Sequence, residues 1–151
     1  MVNIDFKIAN EAMAFFEVGE REYRSQSKIT NEKDMYSIIP AMVNLGFSIE
    51  LFLKSMLDEK VRGHDLKKLF CQIPNNEQNI ILQLTVTHMQ TWGFPCDEES
   101  FWNYLEKNKL VFEEWRYLYQ RGKSVNMVFL LAMGCSLRNM LTLLKEIYIK
   151  K

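Results

Sequence analysis

The chain has 151 residues, 48% apolar and 25% charged, and its 19 basic and 19 acidic side chains leave no formal net charge. That length can bury one sizeable core, and that balance excludes a disordered chain and gives no hint of a nucleic-acid binder held by bulk positive charge. Six Gly and three Pro are few, so long uninterrupted segments are expected. The composition favours an all-α bundle of about five to six helices, a single domain over residues 1–151, rather than a many-stranded sandwich.

Taken in chain order, residues 3–24 place Ile4, Ile8, Ala12, Phe15 and Gly19 at helical spacing. A polar stretch from Ser25 to Lys33 reads as an exposed loop. A second helix is expected to begin between Asp34 and Pro40 and to run to about Glu59, with Pro40 in its first turn or at a kink. It is the most apolar segment. Met42, Leu45, Ile49, Phe52, Leu53 and Met56 form a broad stripe, with Val43, Phe47 and Leu51 beside it, and such a helix belongs at the centre of a bundle. Asn44, Ser48 and Ser55 share one line of its wheel with Gly46 nearby, so another helix can approach closely there.

Val61-Arg62-Gly63 reads as a turn, followed by a short helix over residues 65–73 with Leu66, Leu69, Phe70 and Ile73 on one face, stopped by Pro74. Asn75 or Asn76 is expected to cap a helix over residues 77–90, which ends at Gly93 and Pro95. Asp97 is the expected N-cap of a long segment over residues 98–120, with a polar weak point near Asn108. After an Arg121-Gly122-Lys123 turn, Ser124 is expected to cap a final helix reaching about Tyr148. The longest apolar run, residues 127–135, is nine residues long and is followed by Ser136 and Arg138. Crossing a bilayer takes roughly 20 apolar residues, so this reads as a core helix, and no membrane association is expected. The first residues carry no basic leader, so no secretory signal is expected. Cys71, Cys96 and Cys135 are odd in number and widely spaced, which suits reduced cytosolic thiols.

Few constellations carry chemistry. Gly122-Lys123-Ser124 ends like a phosphate-binding loop, but Tyr117 stands where the first glycine is needed and no strand precedes it. His64, Asp65 and Cys71 lie close in sequence, whereas His88 and Cys96 stand alone and no CxxC or HExxH occurs. No metal or cofactor is implied. Glu50 and Lys54 are an i,i+4 pair on the most apolar helix, where a carboxylate needs a cationic or hydrogen-bonding partner. Arg116, within an aromatic run that includes Tyr119, could supply one. Glu50, Lys54, Arg116 and Tyr119 then either wall a ligand or RNA site or form a buried polar knot that fixes helix register. Residue chemistry alone leans to the knot. Asp65 or His64 can cap the short helix, or His64, Lys67 and Lys68 can meet a phosphate at its start.

Three blocks in order carry a resemblance. They are residues 40–54 (Pro-Ala-Met-Val-Asn-Leu-Gly-Phe-Ser-Ile-Glu-Leu-Phe-Leu-Lys), Gly63-His64-Asp65-Leu66-Lys67-Lys68-Leu69-Phe70, and Phe112-Glu113-Glu114-Trp115-Arg116-Tyr117-Leu118-Tyr119. Together they resemble bacterial HEPN-type helical domains over about residues 36–120. The resemblance implies an up-and-down bundle, often dimeric, in bacterial cytoplasm, from toxin–antitoxin, phage-defence or RNA-processing systems. It also implies a nucleotide, RNA or protein partner and a homodimer. Ribonuclease members carry an Arg with a His after four to six intervening residues. Neither His64 nor His88 has an Arg at that spacing, so the expected function is binding without catalysis. Glu50, Lys54, His64, Asp65, Arg116 and Tyr119 form the expected polar cluster. Two alternatives stand beside it. One is a metal-independent endoribonuclease using His64 as general acid/base, with Arg116 or Lys54 holding phosphate, and the other is a purely structural interaction module.

Overall fold

Helix α1 runs over Phe6–Ser25, α2 over Ile38–Lys54, α3 over Leu66–Phe70, α4 over Asn75–Thr91, α5 over Glu98–Asn108, α6 over Val111–Trp115 and α7 over Met127–Ile149. This computed structural model describes residues 2–25, 38–58, 60–115 and 126–150, with Glu114 and Trp115 described by their backbone alone. Among the described residues there is no strand, and the architecture is an all-α helical bundle. The expected loop beyond Ser25, the Arg121-Gly122-Lys123 turn, Ser124, Arg116 and Tyr119 lie outside the described residues.

Helix α2 is the hub, packing on α1, α7, α6 and α3, while α4 packs on α7 and α5. Its composition explains that place: Met42, Leu45, Ile49, Phe52 and Leu53 are buried, and so are Ala41, Gly46, Ser48 and Glu50 on its other sides. Ser48 and Ser55 are accommodated because each hydroxyl donates to a backbone carbonyl three residues back, Leu45 O at 2.7 Å and Phe52 O at 2.6 Å. The side chains of Phe16, Phe52, Phe70, Phe101 and Phe129 are fully buried, each contributing about 1.5–3 kcal/mol of transfer free energy.

Several expectations are corrected. The inward stripe of α1 is Ala9, Ala12, Phe16 and Gly19, so Ile8 and Phe15 are each displaced by one position, and Phe15 is 38% exposed. Ile4 is buried ahead of the helix. Asp5 caps α1, accepting from the amides of Lys7 and Ile8, and its own N–H donates to Ser55 O. Helix α2 ends at Lys54, five residues before Glu59, where the chain turns to meet that amide. Helix α4 starts at Asn75 with Pro74 before it and no side-chain cap. Gln78, not Asn75 or Asn76, serves this junction, its Nε2 donating to Ile73 O at 2.8 Å. At the other end Gly93, at φ +85°, allows a Schellman closure in which Gly93 N–H reaches Gln90 O and Phe94 N–H reaches Met89 O.

The segment expected to run unbroken over residues 98–120 is two helices. Asp97 does cap α5, its Oδ1 accepting from Ser100 N–H at 2.8 Å. The break falls at the polar weak point. Asn108 is 2% exposed, its Nδ2 donates to Tyr104 O at 2.7 Å, and its Oδ1 accepts from Asn126 N–H at 3.3 Å. Lys109 O, freed from the helix, accepts the first-turn amide of Leu66 at 2.8 Å. Asn126 caps α7 by accepting from Phe129 N–H at 2.9 Å. Helix α7 is long and apolar enough to cross a membrane by length and composition, at mean hydropathy 1.7 over its most apolar window. Most of that window, 61%, is buried inside the bundle, as expected for a core helix.

Candidate functional site

The site begins with a carboxylate in an apolar place. Glu50 faces into the bundle from α2 and is 1% exposed, where an unpaired charge would be costly. Lys54, one turn along, sets its Nζ 2.7 Å from Glu50 Oε1. The second partner comes from a loop. Gly63 adopts φ +107°, a conformation that glycine takes without strain, and the chain there carries His64 back over α2. His64 Nδ1 lies 3.0 Å from Glu50 Oε1 and 2.9 Å from Oε2, straddling the carboxylate. An ionised carboxylate only accepts, so Nδ1 carries the shared proton and the imidazole presents Nε2 outward. The His64 side chain is 40% exposed, so that outward edge reaches solvent.

An aromatic ladder meets the same imidazole. The Phe112 ring lies 5.4 Å from His64, stacks on Phe47 at 5.0 Å, and Phe47 meets Phe15 edge-on at 4.7 Å. Gly46 makes this possible: a Cβ there would sit 2.7 Å from Val111 Cγ1, so α6 lies against bare helix and delivers Phe112. This approach is not along the expected Asn44–Ser48–Ser55 line, since Gly46 lies roughly 160° round the helix from Ser48. The site therefore gathers one residue or more from each of the three blocks: Glu50 and Lys54 from the first, His64 from the second, Phe112 from the third.

The remaining expected members fare differently. Asp65 is the N-cap of α3, its Oδ1 accepting from Lys68 N–H at 3.0 Å. Of the residues expected at a phosphate beside that helix start, Lys67 reaches across with its Nζ 2.6 Å from Glu106 Oε2, and Lys109 Nζ meets Glu106 Oε1 at 2.6 Å. Those two ammonium groups, Lys109 first, hold the Glu106 carboxyl down to about 2. Arg116 and Tyr119 lie outside the described residues, so their distance from Glu50 is not part of this geometry. The aromatic members Phe15, Phe47 and Phe112 were not singled out as site residues. The signal that could have found Phe47 is its place one turn before Glu50, on the same face.

Cys71 is exposed, Cys96 and Cys135 are buried, and all three are free. Among the described residues no three His, Cys, Asp or Glu side chains gather as a metal-binding group. What the arrangement can do chemically is hold an oriented imidazole edge beside an ammonium and an aromatic surface. Comparison with protein-family models, curated proteins and solved structures found no match for this chain.

Proposed function

We propose that this chain is a HEPN-like helical domain of bacterial cytoplasm that binds a nucleotide-type ligand, free or within RNA, at the Glu50–Lys54–His64 cluster without cleaving it. The observation that carries this reading is the meeting of all three resembling blocks around one imidazole, with His64 Nδ1 at 2.9 Å from Glu50 and the Phe112 ring at 5.4 Å from His64. Protonated at both nitrogens, the His64 imidazole donates outward from Nε2, and that N–H together with the Lys54 ammonium suits a phosphate oxygen, while the neighbouring rings suit a base face. A homodimer belongs to the same proposal and rests on the resemblance alone.

The test is titration of the purified protein with nucleoside mono-, di- and triphosphates and with a short single-stranded RNA. Saturable binding that weakens by about tenfold or more in His64→Ala and Lys54→Ala is expected, because each removes a charge-assisted contact. Absence of saturable binding to every one of these probes would sink the reading. Size-exclusion chromatography with light scattering checks the dimer.

A second reading has one observation in its favour. A carboxylate that holds an imidazole by Nδ1 is the arrangement that orients a general acid/base. Incubation with tRNA and mRNA separates the two: cleavage lost in His64→Ala establishes an endoribonuclease, and intact RNA at high protein concentration removes it.

A further inference from the structure

His88 stands apart from the Glu50 cluster, on the last turn of α4. Its ring stacks on Trp92 with centroids 5.5 Å apart and planes 30° from parallel. Its Nε2 is buried and has no hydrogen-bond partner among the described residues. Buried polar atoms are almost always paired, so an orphan imidazole nitrogen in a packed contact needs an explanation.

The surroundings supply one. Among the described residues the charge that bears on the ring is that of Arg138 on α7, and no charged side chain of α5, which also packs on α4, joins it. Arg138 is held in place from α1: its Nη1 lies 3.6 Å from Glu20 Oε1, and its guanidinium carbon sits 4.9 Å over the Phe16 ring. Glu20 is already shared, since Arg24 approaches it at 3.3 Å. The remaining titratable neighbour, Cys135, lies 4.0 Å from both Glu20 and Arg138, and burial pushes its thiol up, so it stays neutral. Among the described residues no group accepts a hydrogen bond from His88 Nε2. Burial first, and Arg138 second, hold the imidazole below its ordinary titration range.

We propose that His88 is a proton-operated latch on the packing of α4 against α7: neutral, it fills the contact, and protonated, it sets a second cation against Arg138 with a buried N–H that has no acceptor, so α4 loosens. One turn away the two helices are joined by Thr85 Oγ1 donating to Ser136 Oγ at 3.1 Å, the bond that loosening exposes. The direction follows from linkage. An imidazole that binds its proton less readily in the folded chain than in the unfolded one leaves stability unaffected above about pH 6.5 and erodes it progressively below.

The test pairs the imidazole titration of the intact protein, followed by NMR, with amide hydrogen exchange in α4 at about pH 7.5 and about pH 5. The His88 midpoint is expected below about 6.5, and protection of residues 85–91 is expected to fall roughly tenfold across that interval after correction for intrinsic exchange. In His88→Gln, which keeps His64, protection is expected to hold. A His88 midpoint at or above about 6.5, unchanged protection, or an equal fall in His88→Gln overturns the proposal. If His88→Gln does not fold, the wild-type data decide: coincident midpoints for the imidazole and for loss of protection support the latch, and separate midpoints overturn it.

Discussion

Glu50 is a residue whose cost is set by its neighbours. Its carboxylate is buried at 1% exposure, whereas Lys54 and His64 keep 20% and 40% of their side chains in solvent. Removing a partner and removing the carboxylate are therefore unequal changes. Lys54→Met strands part of a buried negative charge and should cost about 1–3 kcal/mol. In a chain of this size that lowers the melting temperature by roughly 2–4 °C per kcal/mol. Glu50→Leu with Lys54→Met removes the buried charge and leaves His64 free to hydrate, so the double variant should be nearer wild type than the single. Urea denaturation checks the order, and a neutral Lys54→Met would show that Glu50 does not depend on it. The i,i+4 spacing made this pair readable from sequence. His64 was readable as a member only through the resemblance, because a turn at a positive-φ glycine, rather than any periodicity, returns it to Glu50.

At the scale of elements, the fold follows from where helices can touch and where they must break. Gly46 lets α6 lie against α2, and Gly46→Ala puts a methyl 2.7 Å from Val111 Cγ1. Valine is a stiff side chain that cannot swing away cheaply. The expected loss is about 1–3 kcal/mol, with Phe112 moved off His64, detectable as a shift of the His64 ring protons by NMR. The small-residue line of Asn44, Ser48 and Ser55 did not foretell this contact, because Gly46 lies roughly 160° round the helix from Ser48. The break between α5 and α6 was legible only as a weak point, because its cause lies elsewhere: Asn108 bonds Asn126, eighteen residues on, and Lys109 O bonds Leu66, far earlier. The same distance effect hid Glu106, which ties α5 to Lys67 at the start of the bundle's second half. With its carboxyl held at about 2 against an ordinary 4.5, Glu106 contributes stability that is fully present above about pH 4.5. That stability is lost as pH falls through about 2. Glu106→Gln should flatten the acid limb of the stability–pH curve in that window, and high salt should do the same to wild type, since the pair is exposed and screened. An unchanged acid limb in the variant would remove Glu106 from the account.

For the molecule as a whole, the question is what the longest described helix, α7 at 23 residues, is for. Hydropathy alone cannot separate a bundle core from a membrane span, and α7 passes the length and composition test for the latter. The pattern along it does separate them. From Phe129 to Leu141 nearly every side chain is buried, including Ser136 and Leu137, whereas Leu143, Ile147 and Ile149 are exposed. Two polar residues of the buried half have partners inside the bundle, Ser136 with Thr85 and Arg138 with Glu20. The exposed half is tethered where Tyr148 Oη donates to Val2 O at 2.9 Å and its ring meets Phe6 edge-on, and Leu144 also packs on the core. A helix that served as a lipid span would lose insertion on gaining a charge near either centre position, at similar cost. A helix that is half core and half surface responds unequally. Leu137 is fully buried and Leu143 is 60% exposed. Leu137→Lys should therefore place an unpaired ammonium in the core and abolish cooperative unfolding in urea. Leu143→Lys should leave stability within about 0.5 kcal/mol of wild type, as surface changes do. Comparable damage from both substitutions would contradict the buried placement of α7, and with it the central position of α2, which packs against it.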